Sequence, residues 1–179
     1  YTDVKVPADM IIGEENGGWR LITEQLNHER VGLAAWGIQG WKIFRAALEW
    51  ARNTKNADGQ RVIDDPLTQR NLAEVYAHLE AMRVMNARMS WQLDQQKMDP
   101  VFPSAIKVYS TEIMLEICRI LMDVVGPHAL IAAGSAGAVL HGDLEHEYRR
   151  ATISTFGGGV VEVLRGLVAT HGLGMPSHR

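Results

Sequence analysis

A single carboxylate stands out among the side chains that could do chemistry. Glu29 lies between Leu26 and Leu33 in an apolar stretch with helical spacing, and Arg30 follows it directly. The ordinary interpretation of such a position is a glutamate on the solvent-facing side of a helix. A carboxylate on an apolar-lined face can instead act as a general base that removes a proton from a bound substrate. Residue type and spacing leave both interpretations open.

Two other groups of residues carry weaker chemical signals. His141 and His146, with Glu145 and Glu147, lack the spacing that places two metal ligands on one helix face, so we expect a solvated polar turn there. No glutamate has a histidine three residues later, which excludes the di-iron pattern of helical bundles. The glycine triplet at 157–159 precedes a predicted helix, but it lacks the strand and spacing of a dinucleotide-binding loop.

The elements that would position these residues are predicted to be helices. Four stretches have apolar residues at helical steps: 19–52, 64–93, 104–125 and 160–171. The second stretch begins with Asp64, Asp65 and Pro66, an acidic cap followed by a proline suited to the first turn. Almost nothing alternates as a strand does, although residues 1–7 could be the end of one. The pattern predicts an all-α protein, an antiparallel four-helix bundle.

Composition and charge exclude several classes of function. The 179 residues include 18 Lys and Arg against 21 Asp and Glu, a net charge of −3 that gives no general reason to bind nucleic acid or an anionic membrane. The one cysteine, Cys118, excludes an intrachain disulfide and a multi-thiolate zinc site, and its apolar neighbours predict a buried, inert thiol. No apolar run reaches the roughly 18 residues of a membrane span, so we expect a cytoplasmic protein.

Several stretches, in the same order along the chain, resemble the C-terminal helical domain of acyl-CoA dehydrogenases. They are residues 6–13 with 17–19, then 27–30, 104–112, 123–127, 156–165 and 173–176. The resemblance covers essentially the whole sequence but only the last part of a typical family member. It implies that residues 1–16 lead in from a middle β-domain and that residues 17–179 form the helical bundle.

This resemblance implies α,β-dehydrogenation of an acyl-CoA thioester with FAD as cofactor. In the family, a carboxylate removes the α-proton, and a backbone N–H in the loop before the last helix polarises the thioester carbonyl. Many members carry the base in that loop, where this chain has Gly158, and others carry it on the first bundle helix before an arginine, where this chain has Glu29. The resemblance therefore implies Glu29 as the base, the Gly158 N–H as the carbonyl's partner, and Asn27 and Arg30 as substrate-binding residues.

The flavin-contacting pattern that the resemblance implies is incomplete in this chain. The matching cofactor-binding positions are Thr68, Gln69, Gly126 and Glu162. The arginine motif expected before Thr68 is replaced by residues 55–61, in which Lys55 or Arg61 would supply the charge that faces the phosphates. Incomplete patterns of this kind resemble the heteromeric steroid-degrading dehydrogenases of actinobacteria, whose unlike subunits share fewer flavin sites. We therefore expect FAD binding that is weakened or dependent on a partner.

The resemblance also implies the partners of the protein. It implies an acyl-CoA substrate, a homo- or hetero-oligomer formed through the bundle, and an electron-transfer flavoprotein as electron acceptor. Two alternatives stay open at this stage. One is a non-catalytic structural subunit of such a heteromer, and the other is a helical ligand-binding or regulatory module, although no helix-turn-helix motif or basic patch supports the latter.

Overall fold

Helices make up most of the molecule. The computed structural model describes residues 1–32, 36–97, 99 and 101–177, without the side chains at 27, 28, 30, 31 and 36. These residues form six α-helices: α1 (Gly18–Gly32), α2 (Trp36–Asn53), α3 (Pro66–Asp94), α4 (Phe102–Val125), α5 (Asp143–Ser154) and α6 (Val161–Leu167). Apart from an isolated bridge between Lys55 and Arg61, none of the described residues pairs as a strand. The predicted all-α bundle is confirmed.

The helix α4 lies at the centre of the bundle. It packs against α2, α3, α5 and α6, and its apolar side chains form the middle of the core. The fully buried apolar residues of the three longest helices include Ala47, Val75, Leu79, Ile117 and Leu121. The close approach of α2 depends on Gly40, where a Cβ atom would lie 2.6 Å from Leu79 Cδ2 and 3.4 Å from Met114 Sδ. Burial of these apolar faces is the main force that holds the helices together.

The helix α3 begins where the acidic cap predicts. The Asp65 carboxylate accepts a hydrogen bond from the Thr68 backbone N–H at 2.8 Å, and Pro66 occupies the first turn. This hydrogen bond lowers the pKa of Asp65 below its ordinary value. The short connection after residue 94 turns the chain back, and His78 Nδ1 on α3 then lies 3.3 Å from Tyr109 Oη on α4. Thus the beginning of α3 lies beside the end of α4.

Cys118 has the environment expected of an inert thiol. It is fully buried within the core cluster of α4. Burial raises its pKa to about 12, with a smaller contribution from the negative charge of Glu147.

The helix predicted over 19–52 corresponds to α1 and α2, and residues 33–35 between them lie outside the described part. Two other local predictions meet a different structure. Residues 1–7 form neither helix nor strand. The predicted polar turn over 141–150 is wrong, because Asp143–Ser154 is the helix α5. It buries Leu144 and Ala151 and carries ion pairs at spacings of three and four residues, which stabilise a helix rather than a turn.

None of the helices in the described ranges combines the length and the apolar character that crossing a bilayer requires.

Candidate active site

Glu29 and Gly158 line the same cleft. This cleft has a volume of about 280 Å³, and α1, α4, α5 and the loop of residues 155–160 contribute its walls. Its other polar side chains are Lys107, Thr111, Arg150 and Ser154. Glu29 is solvent-exposed as well as cleft-lining, so its carboxylate is accessible to a molecule bound in the cleft. Asn27 and Arg30 belong to the same helix α1, and their side chains lie outside the described part.

The glycine triplet shapes the loop that carries Gly158. Gly158 has φ +70° and Gly159 has φ +110°, and the second value is one that residues with a side chain rarely adopt. A Cβ atom on Gly159 would also lie 3.3 Å from Leu164 Cδ2. Gly157 and Gly158 therefore present backbone rather than side chains to the cleft. Such a wall suits a flat ring or a thioester carbonyl that approaches the main chain closely.

A buried lysine lies behind this loop. Lys107 is 1% exposed, and its ammonium donates hydrogen bonds to the carbonyl oxygens of Thr155 at 3.3 Å and Gly159 at 2.5 Å. This lysine lies in the stretch of residues 104–112 that resembles the acyl-CoA dehydrogenases, but the resemblance gave it no role. A lysine on the apolar, buried face of a predicted helix could have indicated such a role, because an ammonium buried there without hydrogen-bond partners would be costly.

Arg150 is held at the cleft by a buried carboxylate. Glu147 is 5% exposed, and its two carboxylate oxygens accept hydrogen bonds from Gln39 Nε2 and Arg150 Nη2, each at 2.9 Å. The pair is a charge-assisted contact with fixed geometry. Sequence reasoning considered Glu147 only as part of a metal pattern that it rejected, and it missed Arg150, because it predicted a solvated turn at this place. The spacing of three residues between Glu147 and Arg150 could have indicated a helix, because residues of opposite charge at this spacing lie side by side on a helix surface.

The four predicted cofactor-binding residues divide between two ends of the bundle. Glu162 is exposed in the first turn of α6, which packs beside the first half of α4 through the contact of Arg165 with Glu112. Gly126 ends α4, and the antiparallel register places Thr68 and Gln69 near it at the start of α3. Between Lys107 and Gly126, α4 rises about 28 Å at about 1.5 Å per residue. The structure brings Glu29, Gly158 and the start of α6 to one end and leaves the other three residues at the opposite end.

Three groups at the Gly126 end that could bind a cofactor already donate hydrogen bonds within the chain. The Arg61 guanidinium donates to both carboxylate oxygens of Asp64, at 2.9 and 2.7 Å, and lowers the pKa of that carboxyl. Gln69 Nε2 donates to the Ile63 carbonyl at 3.1 Å, and the Gly126 N–H donates to the Met122 carbonyl. Thr68 is buried. Arg61, Gln69 and the Gly126 N–H already donate hydrogen bonds within the chain, so these three groups would have to exchange partners to bind an FAD pyrophosphate.

Within the described ranges, no three His, Cys, Asp or Glu side chains are grouped so as to hold a metal ion.

The chain is similar in sequence to several known proteins. The family model for the acyl-CoA dehydrogenase C-terminal domain matches residues 16–173. The chain is 42% identical over 183 residues to acyl-CoA dehydrogenase FadE26 of Mycobacterium tuberculosis, covering 98% of this chain and 44% of that protein. It is 35% identical over 178 residues to acyl-CoA dehydrogenase FadE29 of the same organism, again covering 98% and 44%. The chain thus spans less than half the length of these relatives.

Solved structures show the same similarity in three dimensions. The ChsE4-ChsE5 complex from Mycobacterium tuberculosis contains a chain that matches with a TM-score of 0.90 and 42% identity, over 99% of this chain and 46% of that one. The Tcur3481-Tcur3483 steroid ACAD matches with a TM-score of 0.91 and 43% identity, over 99% and 45%. The family model, the sequence identity and the shared fold lead to one conclusion: the chain belongs to the acyl-CoA dehydrogenase family, in which it corresponds to the C-terminal helical domain.

Proposed function

We propose that the full-length protein is an acyl-CoA dehydrogenase in which Glu29 removes the α-proton of an acyl-CoA thioester. The observation that carries this proposal is the shared cleft of Glu29 and Gly158, two residues that lie far apart in the sequence. Removal of a weakly acidic α-proton requires a base and a donor that stabilises charge on the carbonyl oxygen. The cleft brings a carboxylate and a glycine backbone together for these two tasks.

Glu29 and Gly158 have complementary parts in the proposed reaction. The Gly158 N–H donates a hydrogen bond to the thioester oxygen as negative charge develops there, and Glu29 takes the α-proton. The electrons of the broken Cα–H bond form the Cα–Cβ double bond while a hydride leaves Cβ. FAD, when bound, supplies the two-electron oxidant that accepts this hydride. Asn27 and Arg30, from the same helix as Glu29, bind the substrate, and Arg30 orients either Glu29 or the acyl-CoA.

The proposed substrate is the CoA thioester of a steroid-derived acyl group. Support comes from the Tcur3481-Tcur3483 steroid ACAD, a chain of which is 43% identical to this chain over 99% of the residues of this chain. We also propose that electrons pass to an electron-transfer flavoprotein and that the enzyme works in the cytoplasm.

The proposed assembly is a heteromer in which FAD binding depends on a partner subunit. Two features of the chain support this. The predicted cofactor residues lie at opposite ends of α4, which favours contacts with two different FAD molecules. In addition, Arg61 and Gln69 are engaged within the chain at the Gly126 end, so the donors for a pyrophosphate would come from elsewhere. The ChsE4-ChsE5 complex, which contains a chain of the same fold, is named as a complex of two proteins.

The rate of flavin reduction in the assembled full-length enzyme tests the assignment of Glu29. Glu29→Gln keeps the size of the side chain and removes the base, so the rate with an acyl-CoA should fall by at least about 100-fold. Glu24→Gln is the matched control, because Glu24 is an exposed carboxylate on the same helix that does not line the cleft. An unchanged rate in Glu29→Gln would contradict the catalytic assignment and would favour a structural subunit.

Flavin content tests the proposed assembly separately. The full-length protein is purified alone and together with any homologous chain that is encoded beside it, and bound FAD is counted for each preparation. One FAD for each unlike pair is the expected result. One FAD for each chain in the protein purified alone would contradict partner dependence.

A further inference from the structure

Lys107 makes contacts that no role assigned so far explains. It is 1% exposed, yet it lines the same cleft as Glu29 and Gly158. Its ammonium donates hydrogen bonds to two backbone carbonyls, those of Thr155 and Gly159. Both carbonyls belong to the loop between α5 and α6, so one side chain of the central helix connects to two points of a distant segment. A buried ammonium is retained at a cost in solvation, which hydrogen bonds of this kind offset.

The two bonded carbonyls lie on either side of Gly158. Thr155 precedes it by three residues and Gly159 follows it directly. Gly157 and Gly158 lie between them and have little conformational restraint of their own because they lack a Cβ atom, and Gly158 adopts a positive φ of +70°. The backbone bonds of Phe156 and Gly157 to the Ile153 carbonyl hold the beginning of the loop. Lys107 adds restraint at the glycine end, directly after Gly158, and so limits the movement of the Gly158 backbone.

We propose that Lys107 is a positioning residue that fixes the loop of residues 155–159 so that the Gly158 N–H meets the thioester oxygen. This inference rests on the proposed function, because it assigns a residue to the hydrogen bond that polarises the carbonyl. Lys107 acts through the loop and does not itself exchange protons with the substrate. Its contribution is greatest in the transition state, since a fixed donor stabilises developing charge without reorganisation.

The test compares three variants of the assembled full-length enzyme. Lys107→Met removes the donors and keeps the length of the side chain, and Lys107→Arg keeps a positive charge and several donors. Ile120→Val shortens a buried side chain on the same helix far from the loop, so it controls for a general loss of stability. We expect kcat for flavin reduction to fall about 10- to 100-fold in Lys107→Met, with KM changed by less than about threefold. Lys107→Arg should recover part of the loss, and Ile120→Val should keep the wild-type kcat.

Hydrogen exchange supplies a readout that does not depend on activity. In Lys107→Met the amides of residues 155–160 should exchange faster than in the wild type, while those of α3 keep their protection. If Lys107→Met folds poorly, the same comparison is made between Lys107→Arg and the wild type, in which the altered geometry should still raise exchange in this loop. Unchanged loop exchange would overturn the inference. The inference would also be overturned if Lys107→Met changed only KM, or if its kcat fell no further than that of Ile120→Val.

The result for Glu29→Gln separates this inference from the function on which it rests. If Glu29→Gln loses activity and Lys107→Met behaves as the wild type, the positioning role fails and the proposed function stands. If Glu29→Gln keeps its activity, the proposed function fails whatever Lys107→Met does.

Discussion

The two ends of α4 carry similar charged and glycine residues but use them differently. At the cleft end, Lys107 and Arg150 are held by carbonyls or by a buried carboxylate, and the glycine backbone faces an open cleft. At the Gly126 end, Arg61 pairs with Asp64 on the surface, and both side chains are about half exposed. Buried, hydrogen-bonded charges fix geometry, whereas an exposed pair adds little to stability or precision. The contrast supports the proposal that the chemistry takes place at the cleft end and that cofactor contacts at the other end depend on a partner.

The largest expected effect at the cleft end after that of Glu29→Gln concerns the glycine loop. Gly159→Ala places a side chain at φ +110° and 3.3 Å from Leu164 Cδ2, so the loop must shift. A shift of the Gly158 N–H should lower kcat for flavin reduction about 10- to 100-fold. Gly166→Ala is the control, because its Cβ atom would meet nothing within 4 Å and α6 continues through it. Equal rates in the two variants would contradict a loop of fixed geometry.

A smaller effect is expected from the carboxylate behind Arg150. Glu147→Gln removes the charge of a buried group that binds Gln39 and Arg150. The free energy of unfolding should fall by about 1 to 2 kcal/mol, because a charge-assisted contact is lost inside the protein. Chemical denaturation of the assembled protein measures this change. Glu116→Gln, whose pair with Arg119 is about half exposed on both sides, should change it much less. Equal losses of unfolding free energy in the two variants would contradict the claim that a buried ion pair contributes more than a surface pair.

Protonation of the cap of α3 gives a pH-dependent prediction at the Gly126 end. The pKa of Asp65 is lowered in the folded protein by the Thr68 N–H, so its ionised form stabilises the fold above the unfolded pKa of about 3.9. This contribution is lost as the pH falls through the lower, folded pKa. Asp65→Asn keeps a capping oxygen without the charge. The stability difference between wild type and Asp65→Asn should therefore shrink from about pH 6 to about pH 3. A difference that stays constant over this range would contradict the assignment.

The smallest effect is expected from Arg61. Because its guanidinium is paired with Asp64, Arg61→Gln should change the FAD content of the assembled enzyme by less than about twofold. Bound flavin is counted from its absorbance after purification with the partner chain. A loss of most of the FAD would show that Arg61 leaves Asp64 to bind the cofactor, and the contrast between the two ends would fail.

The sequence alone predicts much of this architecture, and particular residues show where it stops. Helical spacing and the cap at Asp65 predict α3 and α4 because both signals are local. The helix α5 is missed because its exposed face is highly charged, and because Glu147 becomes buried through Gln39, more than a hundred residues away in the chain. The role of Lys107 is invisible for the same reason, since its partners Thr155 and Gly159 meet it only in the folded protein. Pairing Glu29 with Gly158 came from family resemblance, and the shared cleft is the independent geometric support for it.

Exchange of the α-hydrogens of a bound acyl-CoA tests the central claim most directly. The assembled enzyme is reduced beforehand under anaerobic conditions, so that hydride transfer cannot proceed, and is then incubated in deuterium oxide with the acyl-CoA that reduces its flavin fastest. Mass spectrometry of the recovered thioester should show deuterium at the α-carbon with wild type and Glu24→Gln, and exchange at least about 100-fold slower with Glu29→Gln. Exchange in Glu29→Gln at the wild-type rate would show that another group removes the proton and would contradict the assignment of Glu29 as the base.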